Sequence, residues 1–77
     1  MAMKDLIEFV AKSIVHNPDA VKVSETEQDG RKVIILEVAP EDKGRIIGKQ
    51  GRVAEALRVL LRVAAVKEGT KAALQIL

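Results

Sequence analysis

The fold class predicted is α+β, in the order helix, strand, strand, helix, helix, strand, with a three-stranded mixed sheet and its helices packed on one face. Three observations carry this. Residues 3–15 repeat apolar side chains at helical spacing. Asp29-Gly30 separates two strand-like runs, the second apolar on both faces. Two helical patterns then precede a last alternating run, so the second and third strands are joined by a helical crossover and must lie parallel.

In the first segment Met3, Leu6, Ile7, Val10 and Ile14 share one helical face, and Lys4, Glu8 and Lys12 lie on another. Asn17-Pro18 ends that helix, because a residue before proline is driven out of the helical region. Val21 and Val23 alternate with Lys22 and Ser24, the pattern of a half-buried strand. Asp-Gly is a strong hairpin signal, so the first two strands pair antiparallel. Residues 33–38, Val-Ile-Ile-Leu-Glu-Val, suit the middle of the sheet.

A short helix is predicted over residues 40–47. Proline fits a first helical turn, where its missing N–H costs nothing, and Glu41 and Asp42 meet the positive end of the helix dipole. A longer helix follows over residues 51–67, with Val53 or Ala54, Leu57, Leu60, Leu61 and Ala64 inward and Arg52, Glu55, Arg58 and Arg62 outward. Gly69 ends it. Residues 70–77 form the last strand, where Ala72, Leu74 and Ile76 alternate with Lys71, Ala73 and Gln75. No repeat, linker or low-complexity stretch interrupts the 77 residues, which are expected to form one domain spanning 1–77.

Composition narrows the function classes. With 48% hydrophobic and 31% charged residues the chain can bury a core and is not a disordered tail. The absence of cysteine removes disulfides, thiol nucleophiles and thiolate metal sites, and suits a reducing cytoplasm. No apolar run approaches the roughly 20 residues that span a bilayer, so cytoplasmic localisation is expected. The net charge of +2 is uninformative by itself, but its distribution is not. Residues 1–42 hold five Lys or Arg against nine Asp or Glu, whereas residues 43–62 hold six against one. A basic block in one quarter of the chain is an electrostatic footprint for a polyanion, although Arg58 and Arg62 also fit the solvated face of a helix.

The loop inside that block carries the chemistry. Gly48 and Gly51 bracket Lys49-Gln50 between two helices. Residues without Cβ allow a tight turn and the close approach of another backbone. The helix opening there offers unpaired N–H groups and a partial positive charge to a phosphate, and Lys49 and Arg52 add full charges. Lys43 and Arg45 extend the basic track, while Ile46, Ile47 and Val53 supply an apolar surface for bases. A phosphate clamp beside an apolar groove is the recognition mode of a GxxG loop, which holds about four nucleotides. Other phosphate loops fail on spacing. A Walker loop needs GxxxxGK[ST], but Gly44 and Gly48 are only four apart and Lys49 precedes Gln50. The fingerprint GxGxxG is absent, and this loop does not follow a strand. The plainer alternative is a helix-to-helix turn, for which a single glycine would suffice.

The run Gly44-Arg45-Ile46-Ile47-Gly48-Lys49-Gln50-Gly51-Arg52, preceded by a hairpin and an N-terminal helix, resembles the type II KH domain, and more narrowly the small bacterial KhpA family of single-KH proteins. The likeness extends over nearly the whole chain, including Asn17-Pro18-Asp19-Ala20 after the first helix. It implies sequence-tolerant binding of single-stranded RNA, as an RNA chaperone or post-transcriptional regulator affecting cell shape or division. It also implies a homodimer, or a heterodimer with a larger KH-containing partner of the KhpB type. One departure is Ala54, where many KH domains carry a bulkier aliphatic residue. The smaller side chain reduces apolar contact with bases.

Two other function classes compete. An enzyme lacks the necessary groups: the only histidine, His16, sits at a helix end, where compensating the dipole suffices to explain it, and Ser13 and Ser24 have no evident base. Glu25 and Glu27 alternate on a strand facing water, without metal-ligand spacing. No catalytic residue, metal or cofactor is therefore expected. The other class is an interaction or dimerisation module with a KH fold and little RNA affinity of its own. Phe9 is the sole aromatic residue, so no stacking platform exists and binding by one domain should be weak. Ala56, Val59, Val63 and Val66 form either a dimer seam or the completion of the core, and completing the core is the simpler expectation.

Overall fold

The computed structural model describes residues 2–47 and 52–77. Helix α1 (Met3–Ile14) leads through a 3-10 turn (Pro18–Ala20) into strands β1 (Lys22–Gln28) and β2 (Arg31–Glu37). Helices α2 (Pro40–Ile47) and α3 (Arg52–Lys67) follow, and strand β3 (Ala72–Ile76) closes the order. The fold class is the expected one: an α+β unit with a three-stranded mixed sheet, in which β2 lies between an antiparallel β1 and a parallel β3.

Local chemistry explains the joints. Gln28 pairs with Arg31 across a two-residue turn whose central residues, Asp29 and Gly30, have φ of 54° and 74°. Positive φ at both positions is what a type I′ hairpin turn requires, and Asp-Gly tolerates it. At the end of α3, Gly69 (φ 69°) adopts the left-handed conformation. Its N–H donates to Val66 at 3.1 Å and the Thr70 N–H donates to Ala65 at 2.9 Å. That bond pair is a Schellman cap, which satisfies the last carbonyls and turns the chain back toward β3.

The core forms where the helices meet one face of the sheet. Ile34 and Leu36, wholly buried on β2, pack in one cluster with Met3, Ile7 and Ala11 of α1 and with Ala54, Leu57, Leu61 and Ala65 of α3. The α3 face differs from expectation. Ala65 is inward, Ala64 is only half-buried, and Leu60 is 40% exposed. Spacing of 3, 4 and 4 from Ala54 puts two leucines between two alanines on the buried face and turns Leu60 toward α1. Ile14, expected inward on α1, is also exposed. Ala56, Val59, Val63 and Val66 do not complete the core, since all four lie on the outward side of α3 in solvent.

Candidate nucleic-acid interface

Two inward side chains hold α2 in place. Ile46 is 2% exposed and enters the core, and Asp42, one turn earlier on the same face, is fully buried. The two Asp42 carboxylate oxygens accept the backbone N–H groups of His16 and Asn17, each at 3.0 Å, in the segment just after α1. The Asn17 side-chain amide also donates to Asp42 at 3.3 Å and to Glu41 at 2.7 Å. These bonds join α2 to a segment about 25 residues earlier, so the acidic first turn does more than complement the helix dipole.

The His16 N–H lowers the Asp42 pKa most, burial opposes it, and the Asn17 donors lower it further. The carboxyl thus ionises below the ordinary aspartate value of about 4. A depressed folded-state pKa contributes stability that is fully present above the unfolded value and is lost as pH falls through the folded one. Thermal melts should therefore stay flat above about pH 5 for this group and decline below about pH 4. An Asp42→Asn variant should show a shallower acid decline, and an unchanged one would remove Asp42 from the titration.

The candidate site residues separate into three sets. Lys43, Arg45 and Arg52 are exposed and Ile47 is 48% exposed at the end of α2, whereas Val53, expected beside the bases, is half-buried and faces Val10 and Ile14 of α1, away from the groove described below. Ile46 belongs to the core, because its spacing from Asp42 turns it inward, and it offers no surface to a base. Gly48, Lys49, Gln50 and Gly51, expected to form the clamp, lie outside the described residues.

Beside the flanks of residues 48–51 runs a groove of about 390 Å³ lined by Ile47, Ala54, Arg58, Leu74, Gln75 and Ile76. It sits between the end of α2, the first turns of α3 and the edge strand β3. Leu74 and Ile76 form its apolar wall. A second hollow shares Arg58 and Leu74 and adds Arg62, and a third shares Arg62 and adds Arg31 and Lys71. The trough thus continues along α3 and β3 with a cation at each step. Among the described residues the single ion pair is Glu8–Lys12 on α1, at 2.9 Å, so none of these arginines is neutralised by a carboxylate there. No group of three or more His, Cys, Asp or Glu side chains is arranged for a metal among the described residues.

Sequence reasoning identified the basic helix face but not the strand opposite it. Leu74 and Ile76 alternate inward as expected, yet their place in a groove follows from β3 being an edge strand. Gln75, Ala54 and Arg58 join them only because β3 packs beside α3. Phe9, the sole aromatic residue, is 65% exposed on α1 and lines none of these hollows. No helix of the described residues is long and apolar enough to cross a membrane.

Comparison with known proteins agrees with the arrangement. Over 96% of this chain the fold matches 29% of the crystallised Era protein of Aquifex aeolicus, with a TM-score of 0.63 at 20% identity, which is a likeness of fold. The RNA-binding protein KhpA of Clostridium acetobutylicum is 48% identical over 75 residues, covering 97% of this chain and 100% of the relative. The RNA-binding protein KhpA of Aquifex aeolicus is 46% identical over 76 residues, covering 99% and 96%. The KH domain that defines KhpA and KhpB matches residues 4–76, and the chain belongs to the KhpA/KhpB KH-domain family.

Proposed function

We propose that the chain is a non-catalytic, cytoplasmic single-stranded RNA-binding protein that acts as one KH domain, an RNA chaperone or post-transcriptional regulator. Gly48, Lys49, Gln50 and Gly51 clamp the phosphate backbone, with Lys43, Arg45 and Arg52 beside them, and bases lie against Ile47, Leu74 and Ile76. The observation that carries this reading is the apolar groove edged by Arg58 and continued by Arg62, beside the flanks of a glycine-bracketed basic loop. Similarity to relatives named as RNA-binding proteins points the same way.

The trough makes a measurable addition to the loop alone. For single strands the slope of log affinity against log salt is about −0.7 per phosphate contact. Two to four contacts give slopes of roughly −1.4 to −2.8. Replacing both Arg58 and Arg62 by Glu should lower affinity for a short oligouridine about tenfold or more and make the slope shallower by about 1.4, two contacts' worth. Filter binding or anisotropy from low to moderate salt reads both quantities. An unchanged slope would restrict the site to the loop.

A second element of the reading is self-association, or pairing with a larger KH protein of the KhpB type. It is favoured by the exposed apolar stripe of Ala56, Val59, Val63 and Val66 on α3, flanked by Leu60. Solvated helix faces are ordinarily polar, and a contiguous apolar stripe marks a contact surface. The alternative of an interaction module with little RNA affinity predicts self-association with no salt-dependent RNA binding.

A further inference from the structure

We infer that Asp42 is a positioning residue for the RNA-binding face, setting where α2 presents Lys43, Arg45 and Ile47 by clamping that helix to the backbone that follows α1. The inference rests on the RNA-binding reading above and adds to it a residue that touches no RNA. Helix α2 has only eight residues, and its only buried side chains are Asp42 and Ile46. So short a helix has little stability of its own, and its placement depends on what its inward face grips. Ile46 provides non-directional burial, which tolerates sliding and rotation. Asp42 provides direction, because two oxygens each accept a different backbone N–H at 3.0 Å while being wholly removed from water. Charge-assisted bonds to fixed backbone donors define both the depth and the rotation of the helix.

The arrangement is complete on both sides. No buried side-chain polar atom of the described residues lacks a partner. The His16 and Asn17 donors follow the last turn of α1, where the chain is no longer helical and needs acceptors from elsewhere. The clamp therefore settles two needs at once: the N–H groups leaving α1, and the angle at which α2 presents Ile47 to the groove. Asn17 reinforces it, bridging Asp42 and Glu41 with one amide.

The test separates positioning from stability. In Asp42→Asn the amide can accept from only one of the two backbone donors, and its own N–H group faces the other. Amide hydrogen exchange of the full chain is measured well below the melting temperature, with binding of a six-nucleotide oligouridine measured alongside. The expected result is at least tenfold faster exchange for Arg45, Ile46 and Ile47, unchanged exchange for Ile34 and Leu36, and an affinity loss of fivefold or more at an unchanged salt slope. Asn17→Ala, which keeps both backbone bonds, should give the same pattern at about twofold and serves if Asp42→Asn does not fold. Uniformly faster exchange with normal affinity would mean a purely structural role and overturn the inference, as would selective loosening of α2 without loss of affinity. If the native protein bound no RNA, the RNA-binding reading would fail by itself, and selective loosening of α2 would still establish the clamp.

Discussion

Replacing Lys49 and Gln50 together by Asp is expected to weaken binding of single-stranded RNA about 100-fold or more while leaving the fold intact. A hydrogen bond to a charged group contributes about 1.5–3 kcal/mol, and 1.4 kcal/mol is a tenfold change, so losing the lysine contact alone removes ten- to a hundredfold. Two carboxylates placed where phosphate must approach add repulsion to that loss. The described core is built from apolar side chains of α1, the sheet, Ile46 and α3, and both substituted residues are polar. Circular dichroism and the melting temperature should therefore stay close to native. Affinity equal to that of the native protein would place RNA recognition elsewhere on the molecule.

The second large effect concerns the outward face of α3. Val63 is 51% exposed and stands among Ala56, Val59 and Val66. Val63→Asp should leave the isolated domain folded, because the side chain lies away from the core. It should also convert a self-associated species to monomer, since a desolvated carboxylate in an apolar seam is costly unless paired. The consequence for binding is larger than the substitution suggests. A single domain without an aromatic platform lacks the roughly 1–3 kcal/mol per stacked base that other single-strand binders obtain. Two domains on one strand recover affinity through effective concentration, by as much as 10²–10⁴. The variant should thus bind a 20-nucleotide strand at least about tenfold more weakly, but a five-nucleotide strand as tightly as the native protein does. Sedimentation checks the mass, and equal masses for both proteins would exclude α3 as the seam.

Much of this architecture was legible because short-range chemistry determines it. Asp29-Gly30 can serve a two-residue hairpin at positive φ, Gly69 can cap a helix, and Pro40 can open one, wherever the rest of the chain lies. The apolar run of residues 33–38 has one plausible place, the middle of a sheet. The rotation of α3 was less legible, because Leu, Val and Ala occupy most of its circumference. Periodicity cannot choose Ala65 over Leu60 when both neighbouring faces are apolar. Which face is buried depends on the sheet on one side and α1 on the other, and that is tertiary information.

At the site, charge and glycine spacing identified Lys43, Arg45 and Arg52 as surface cations, and the structure exposes all three. Ile46 and Ile47 are adjacent and chemically identical, but a helical step of 100° sends one into the core and leaves the other at the groove. Asp42 read as an ordinary acid of a first turn. Its acceptor role depends on donors at His16 and Asn17, and no local pattern joins positions that far apart. Arg58 was recognisable as basic, whereas its partnership with Leu74 and Ile76 across a groove required β3 to be at the sheet edge.

The most direct measurement is a titration of the ¹⁵N-labelled protein with a six-nucleotide single-stranded RNA, followed by amide chemical shifts. The predicted result is perturbation concentrated at Arg45, Ile47, Arg52, Arg58 and residues 74–76, with β1 and the outward face of α1 unmoved. Perturbation confined to α1 or to the Val59 and Val63 face, with the groove silent, would contradict the account.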